Sequence, residues 1–143
     1  MRRVFIAAAF AFASLAFAAS AQAADAPAPP AGVPTMFSAP LPDVPGKHLV
    51  VVHLTLPRAG GPAHPHRHPG SVYVYVTQGT ARLGVEGQPV QIVHAGESFF
   101  EPVGALHTVA ESASPAETAS AIAVMIVPDG APLVMAPGAH AGH

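Results

Sequence analysis

The chain has 143 residues, half of them hydrophobic, with no cysteine and 10% charged residues that leave a formal net charge of −2. This is enough for one compact domain with a real core and too little for two. So sparse a charge offers no basic face for nucleic acid or an anionic membrane, and the absence of cysteine fits an exported protein that relies on its core and not on disulfides.

The chain starts with a short basic stretch, Arg2 and Arg3, followed by an apolar run from Val4 to Ala19 and the small-x-small sequence Ala21-Gln22-Ala23. This reads as a secretory leader over residues 1–23, cut after Ala23, which makes the mature protein periplasmic or secreted. The apolar run is shorter than the roughly 20 residues needed to span a bilayer and has no charged stop after it, so no stable membrane insertion is expected after cleavage. Arg2-Arg3-Val4-Phe5-Ile6 also resembles a twin-arginine export signal, although the polar residue that normally precedes the arginines is missing.

Residues 24–36 are rich in Pro and Ala and read as an extended linker. A single barrel domain is expected over residues 37–136, followed by a flexible tail over 137–143 that carries His140 and His143. Within the domain, β-favouring runs alternate with turn residues. The runs are Leu49 to Leu56, Val72 to Thr77, Ala81 to Val85, Val90 to Val93, Ser98 to Glu101, His107 to Glu111, Ala121 to Val127 and a short one at Leu133 to Ala136. The punctuation between them includes Pro57 to Gly61, Gln78-Gly79, Ala95-Gly96 and Pro102 to Gly104. About eight short strands without a sustained helical period predict an all-β fold, an antiparallel sandwich or jelly-roll barrel.

In the Val72 to Val76 run the valines share one face while Tyr73 and Tyr75 share the other, so both faces are apolar. A homodimer is expected, with the tyrosine face against a second subunit; the alternative is a loop or the N-terminal segment lying over it.

The most informative stretch is Gly60-Gly61-Pro62-Ala63-His64-Pro65-His66-Arg67-His68. His66 and His68 are two residues apart, so in extended chain their imidazoles leave one face and can converge on one ion. His107 follows a separate strand-like segment that can pair alongside and is the best third donor. His64 shares the spacing and is a candidate fourth ligand or proton shuttle, although an exposed loop histidine is the plainer reading. His48, His53 and His94 read as surface or edge residues.

These residues resemble the cupin superfamily, whose first motif is G-x5-H-x-H-x(3,4)-E-x6-G and whose second is G-x5-P-x-G-x2-H-x3-N. Gly60, His66, His68 and Gly79 fall on the first in register, and Gly96, Pro102, Gly104 and His107 on the second, over roughly residues 45 to 130. The resemblance implies a double-stranded β-helix, RmlC-like barrel in which His66, His68 and His107 hold one divalent transition metal: Fe, Cu, Mn, Ni or Zn. Two positions depart from the pattern. Val72 stands where the family has its metal-binding Glu, and Glu111 stands where the second motif ends in Asn. Three neutral imidazoles leave the ion's charge uncompensated and make it a stronger Lewis acid. Glu101, before Pro102, is the nearest carboxylate by sequence, as a ligand, as a hydrogen-bond partner of a ligand histidine, or as a solvated rim residue.

The expected function is that of a small exported metalloenzyme, dioxygenase- or isomerase-like, acting on a small oxygen-bearing substrate. Glu101 or His64 would serve as acid or base, and Val72, Phe99, Phe100 and Met125 as pocket wall. The alternative is a non-catalytic protein that binds or stores a metal or small ligand.

Overall fold

A computed structural model describes residues 26–30 and 33–139. The expected leader, the flanking parts of the linker and His140 and His143 lie outside the described residues. The chain forms nine strands there: β1 (Thr35–Pro40), β2 (Lys47–Leu56), β3 (His66–Arg67), β4 (Ser71–Gln78), β5 (Thr80–Val85), β6 (Gln91–His94), β7 (Ser98–Glu101), β8 (Leu106–Ser112) and β9 (Ala119–Pro128). They form a five-stranded sheet ordered β1-β2-β9-β4-β7 and a four-stranded sheet ordered β3-β8-β5-β6. Every pairing is antiparallel. No helix among the described residues is long and apolar enough to cross a membrane.

The two sheets form because β-branched and small apolar residues alternate along the long strands, giving each a face that only a facing sheet can bury. Val50 and Val52 of β2, Val72, Val74 and Val76 of β4, and Ala121, Ala123, Met125 and Val127 of β9 all point inward. Ala81, Leu83 and Val85 of β5 and Val93 of β6 meet them from the second sheet. The outer face is different. Across the five-stranded sheet the register runs Phe37, Val51, Val124, Tyr73, Phe100, one residue per strand. Tyr73 is 45% exposed, Tyr75 40% and Phe100 57%, so no described loop or N-terminal residue covers this row.

Three details depart from the sequence reading. A first strand begins at Thr35, inside the stretch read as linker, and pairs along β2. The run Leu133 to Ala136 makes only a bridge, Met135 to Arg67, and no strand. His48 is no surface residue: it is 2% exposed and its Nδ1 lies 2.6 Å from Asp129 Oδ1.

Gly70, just before β4, is where the backbone comes closest to a neighbour. A Cβ built there would overlap the carbonyl oxygen of Ile126 and crowd Val127 Cα, so only glycine lets the histidine-bearing segment lie against β9.

Candidate metal centre

β3 is only two residues long, and its pairing with β8 sets His66 directly opposite His107. His68 lies two residues along on the same side, as the extended backbone dictates. The segment is clamped by groups on its other side. Arg67 donates through Nε to the Pro137 carbonyl and through Nη1 to the Gly104 carbonyl, both at 2.6 Å. Its backbone exchanges two hydrogen bonds with Met135, and the His68 carbonyl accepts one from the Gly104 amide. Sequence reasoning missed Arg67, although an arginine between two ligand-spaced histidines must point away from the ion and is free to anchor.

The side-chain donors of the three histidines lie within 4.8 Å of one another. His66 Nδ1 donates to the His64 carbonyl at 2.8 Å, and His68 Nδ1 donates to the Leu133 carbonyl at 2.6 Å. Both hydrogen bonds fix the tautomer that leaves Nε2 as a lone pair, the arrangement a metal ligand needs. The two Nε2 atoms are 3.2 Å apart. Donors about 2.1 Å from a shared ion, at tetrahedral to octahedral angles, are separated by about 3.0 to 3.4 Å.

His107 is buried, with its ring stacked over Phe99 at a centroid distance of 6.3 Å. Neither of its nitrogens has a hydrogen-bond partner among the described residues, and neither does Glu101 Oε2. A buried polar atom left unpaired costs about 1–3 kcal/mol. Three of them in one place, two offering a lone pair (the carboxylate oxygen and one nitrogen of the neutral His107 ring), fit a divalent transition-metal ion bound by this cluster.

Electrostatics agree with that fit. Burial lowers the pKa of His68 to about 4, opposed by its bond to the Leu133 carbonyl and assisted by the neighbouring His66. Burial lowers that of His107 to about 4 as well, helped by His66 and His68 and opposed by the backbone at Val109. Both are neutral at pH 7, as ligands must be. Glu101 is 2% exposed, and burial raises its carboxyl to about 7. Glu101 Oε2 stands 3.2 Å from His107 Nδ1 and 3.6 Å from His68 Nε2. These are ion-pair distances, yet desolvation outweighs the attraction and no charged pair forms in the protein alone.

A cavity of about 360 Å³ opens from this cluster between the sheets, walled chiefly by Leu54, Val72, Val74, Ala123, Met125 and Leu133. Pro30 and Val33, from the stretch read as linker, close one side of it. Val72 and Met125 stand where the sequence reading put them. Phe100 does not: it faces solvent on the outer side of the sheet, because it alternates with the inward Phe99 and Glu101. Phe99 packs beneath His107. A second cavity, about 370 Å³, lies on the other side of His66 and His107 under the Gly60 to His64 loop.

His64 is exposed at the rim of both cavities and is not among the converging donors. Its clear part is its carbonyl, which orients His66. Glu111 fastens the ligand loop: it accepts from the Gly60 amide at 3.1 Å and pairs with Arg82 at 2.7 Å. His53 and His94 take no part in the cluster.

A family model described as the cupin domain matches residues 52–127. No curated protein matches the chain significantly. Among solved structures, a conserved protein with a double-stranded β-helix domain from Klebsiella pneumoniae subsp. pneumoniae MGH 78578 is 22% identical. It has a TM-score of 0.50 and an overlap of 73% of this chain with 82% of that one. HppE in its Fe(II) form, in complex with substrate, is 20% identical at a TM-score of 0.52, with 67% of this chain overlapping 53% of that one. The DMSP lyase DddQ from Ruegeria pomeroyi DSS-3 is 21% identical at a TM-score of 0.41, with 57% of this chain overlapping 39% of that one. The chain thus spans about half of HppE or less than half of the lyase, and at these identities the likeness is one of fold alone.

Proposed function

The chain belongs to the cupin domain family, matched over residues 52–127, and on that premise we propose that it is a mononuclear metal cupin acting on a small oxygen-bearing substrate. The observation that carries this reading is the coincidence of three lone-pair imidazoles, two of them locked by carbonyls, with an apolar cavity of about 360 Å³. Three protein ligands leave positions open to an exogenous donor, whereas a closed set would serve structure. His66, His68 and His107 would hold the ion, and when bound it would supply Lewis-acid or redox activation of an oxygen donor. The valine, leucine and methionine wall would exclude water and bind the substrate's carbon skeleton. Leu133 and His64 keep the ligand rings oriented through their carbonyls. Dioxygenase- and isomerase-like reactions both suit such a site.

The test is metal content per chain. Wild type should carry one ion, and alanine at His66, His68 or His107 should remove it while the domain still melts cooperatively. Metal retained in any of the three variants would show that the wrong donors were chosen. One observation favours the second reading, a protein that binds a metal or small ligand without turnover. Apart from the ligand histidines, Glu101 and His64 are the only acidic or basic side chains in the main cavity wall among the described residues. Oxygen consumption or isomerisation by the metal-loaded protein across a panel of small oxygen-bearing compounds separates the two.

Two further parts of the reading rest on sequence pattern and on the outer face. Export to the periplasm or beyond is supported by the leader-like residues 1–23, and recovery of a chain starting at Ala24 outside the cytoplasm would support it. A homodimer is supported by the exposed row through Phe37, Tyr73 and Phe100. Sedimentation should then show a dimer in wild type and a monomer in Tyr73→Lys/Phe100→Lys.

A further inference from the structure

The strand register places Glu101 directly opposite Val72 on the neighbouring strand. Val72 is the position where the family pattern has its carboxylate ligand. Both side chains point into the barrel, at 1% and 2% exposure. Opposed residues on adjacent strands have Cβ atoms about 4.5–5.5 Å apart, so a glutamate at either one can reach the same point inside the barrel. Val72 is short and leaves that point to its neighbour.

Glu101 occupies it. Its Oε2 lies 3.2 Å from His107 Nδ1 and 3.6 Å from His68 Nε2, close to the 3.2 Å between the Nε2 atoms of His66 and His68. The two 3.2 Å separations are edges expected between donors around one ion, and the 3.6 Å one is slightly longer. Oε2 is buried and has no hydrogen-bond partner among the described residues. A carboxylate that served to hold a histidine ring would instead be hydrogen-bonded to it, as the Leu133 carbonyl is to His68.

We infer that the family's carboxylate ligand has crossed the β4–β7 strand pair, so that Glu101 is the fourth metal ligand in place of the residue at 72. This rests on the metal reading above and deepens it. The site becomes three histidines and one carboxylate, with a charge partly compensated, which suits iron or manganese better than three imidazoles alone do. It also removes Glu101 from the acid–base chemistry.

The test is a double-mutant cycle read by titration of zinc(II) and cobalt(II) into the chelator-treated full chain, with cooperative melting checked for every variant. Glu101→Gln keeps shape but removes the anionic donor, and it should weaken binding by at least about 30-fold and change the visible bands of bound cobalt. Val72→Glu should strengthen binding by at least about 30-fold in a Glu101→Val background but by less than about threefold in otherwise wild-type protein, since one carboxylate already fills the position. Equal gains in the two backgrounds, or a Glu101→Gln variant that binds within threefold of wild type with unchanged cobalt bands, would overturn the inference and leave the three-histidine site standing. Absence of metal binding by wild type would overturn both.

Discussion

Among the described residues, two places bury a histidine beside a carboxylate, and they are built in opposite ways. His48 is 2% exposed and meets Asp129 at 2.6 Å, one donor for one acceptor, with the carboxylate itself partly open to solvent. His68 and His107 surround Glu101 at 3.6 and 3.2 Å, and three of the buried polar atoms there have no partner among the described residues. The first arrangement is complete as polypeptide and therefore structural. The second leaves buried polar atoms without partners among the described residues, and that, not burial of histidine as such, is what marks it as a candidate site.

The largest effect that separates the two is expected from a residue that is neither histidine nor acid. Gly70→Ala sets a Cβ against the Ile126 carbonyl and must push the His66 to His68 segment off β9. A loss of about 3 kcal/mol or more is expected, together with loss of metal. Urea denaturation and metal analysis check it, and a variant as stable as wild type would mean that the close approach is not as described.

Acid should come next, tested on the metal-free protein. His68 and His107 stay neutral in the fold down to about 4 but protonate near 6.5 when unfolded, so their contribution is present above 6.5 and lost as pH falls towards 4. Glu101, raised to about 7, acts in the opposite sense: its contribution is present below about 4.5 and lost as pH rises through 7. Two groups oppose one, so below about pH 6 the net effect is destabilisation, on the order of 3 kcal/mol by pH 4. Denaturation midpoints across this range, with and without zinc, report it, and stability that rises on acidification would contradict it.

Smaller still is His48→Ala, which should cost about 1–3 kcal/mol by leaving Asp129 without its partner while metal stoichiometry stays the same. His64→Ala is expected to do least, because the part of His64 that matters to the site is its backbone carbonyl. Metal affinity within about threefold of wild type is expected; loss of the ion would place the imidazole in the coordination sphere and favour a closed, non-catalytic centre.

The sequence by itself determined the strand faces and the histidine trio. Val72, Val74 and Val76 alternate with Tyr73 and Tyr75, and His66 and His68 are two apart, because side-chain direction in extended chain is a local property with a period of two residues. The two motifs spaced around Gly60, Gly79, Gly96 and Gly104 carried the fold. Tertiary structure decided what depends on which strand lies beside which. The pairing of Val72 with Glu101, the burial of His48 against Asp129, the clamp from Arg67 to Gly104 and Pro137, and the need for glycine at 70 all join segments that no local spacing relates. Register across strands is fixed by closure of the whole barrel over its core, so the nearness of a carboxylate on the adjacent strand to the position of the missing motif residue is visible only in space.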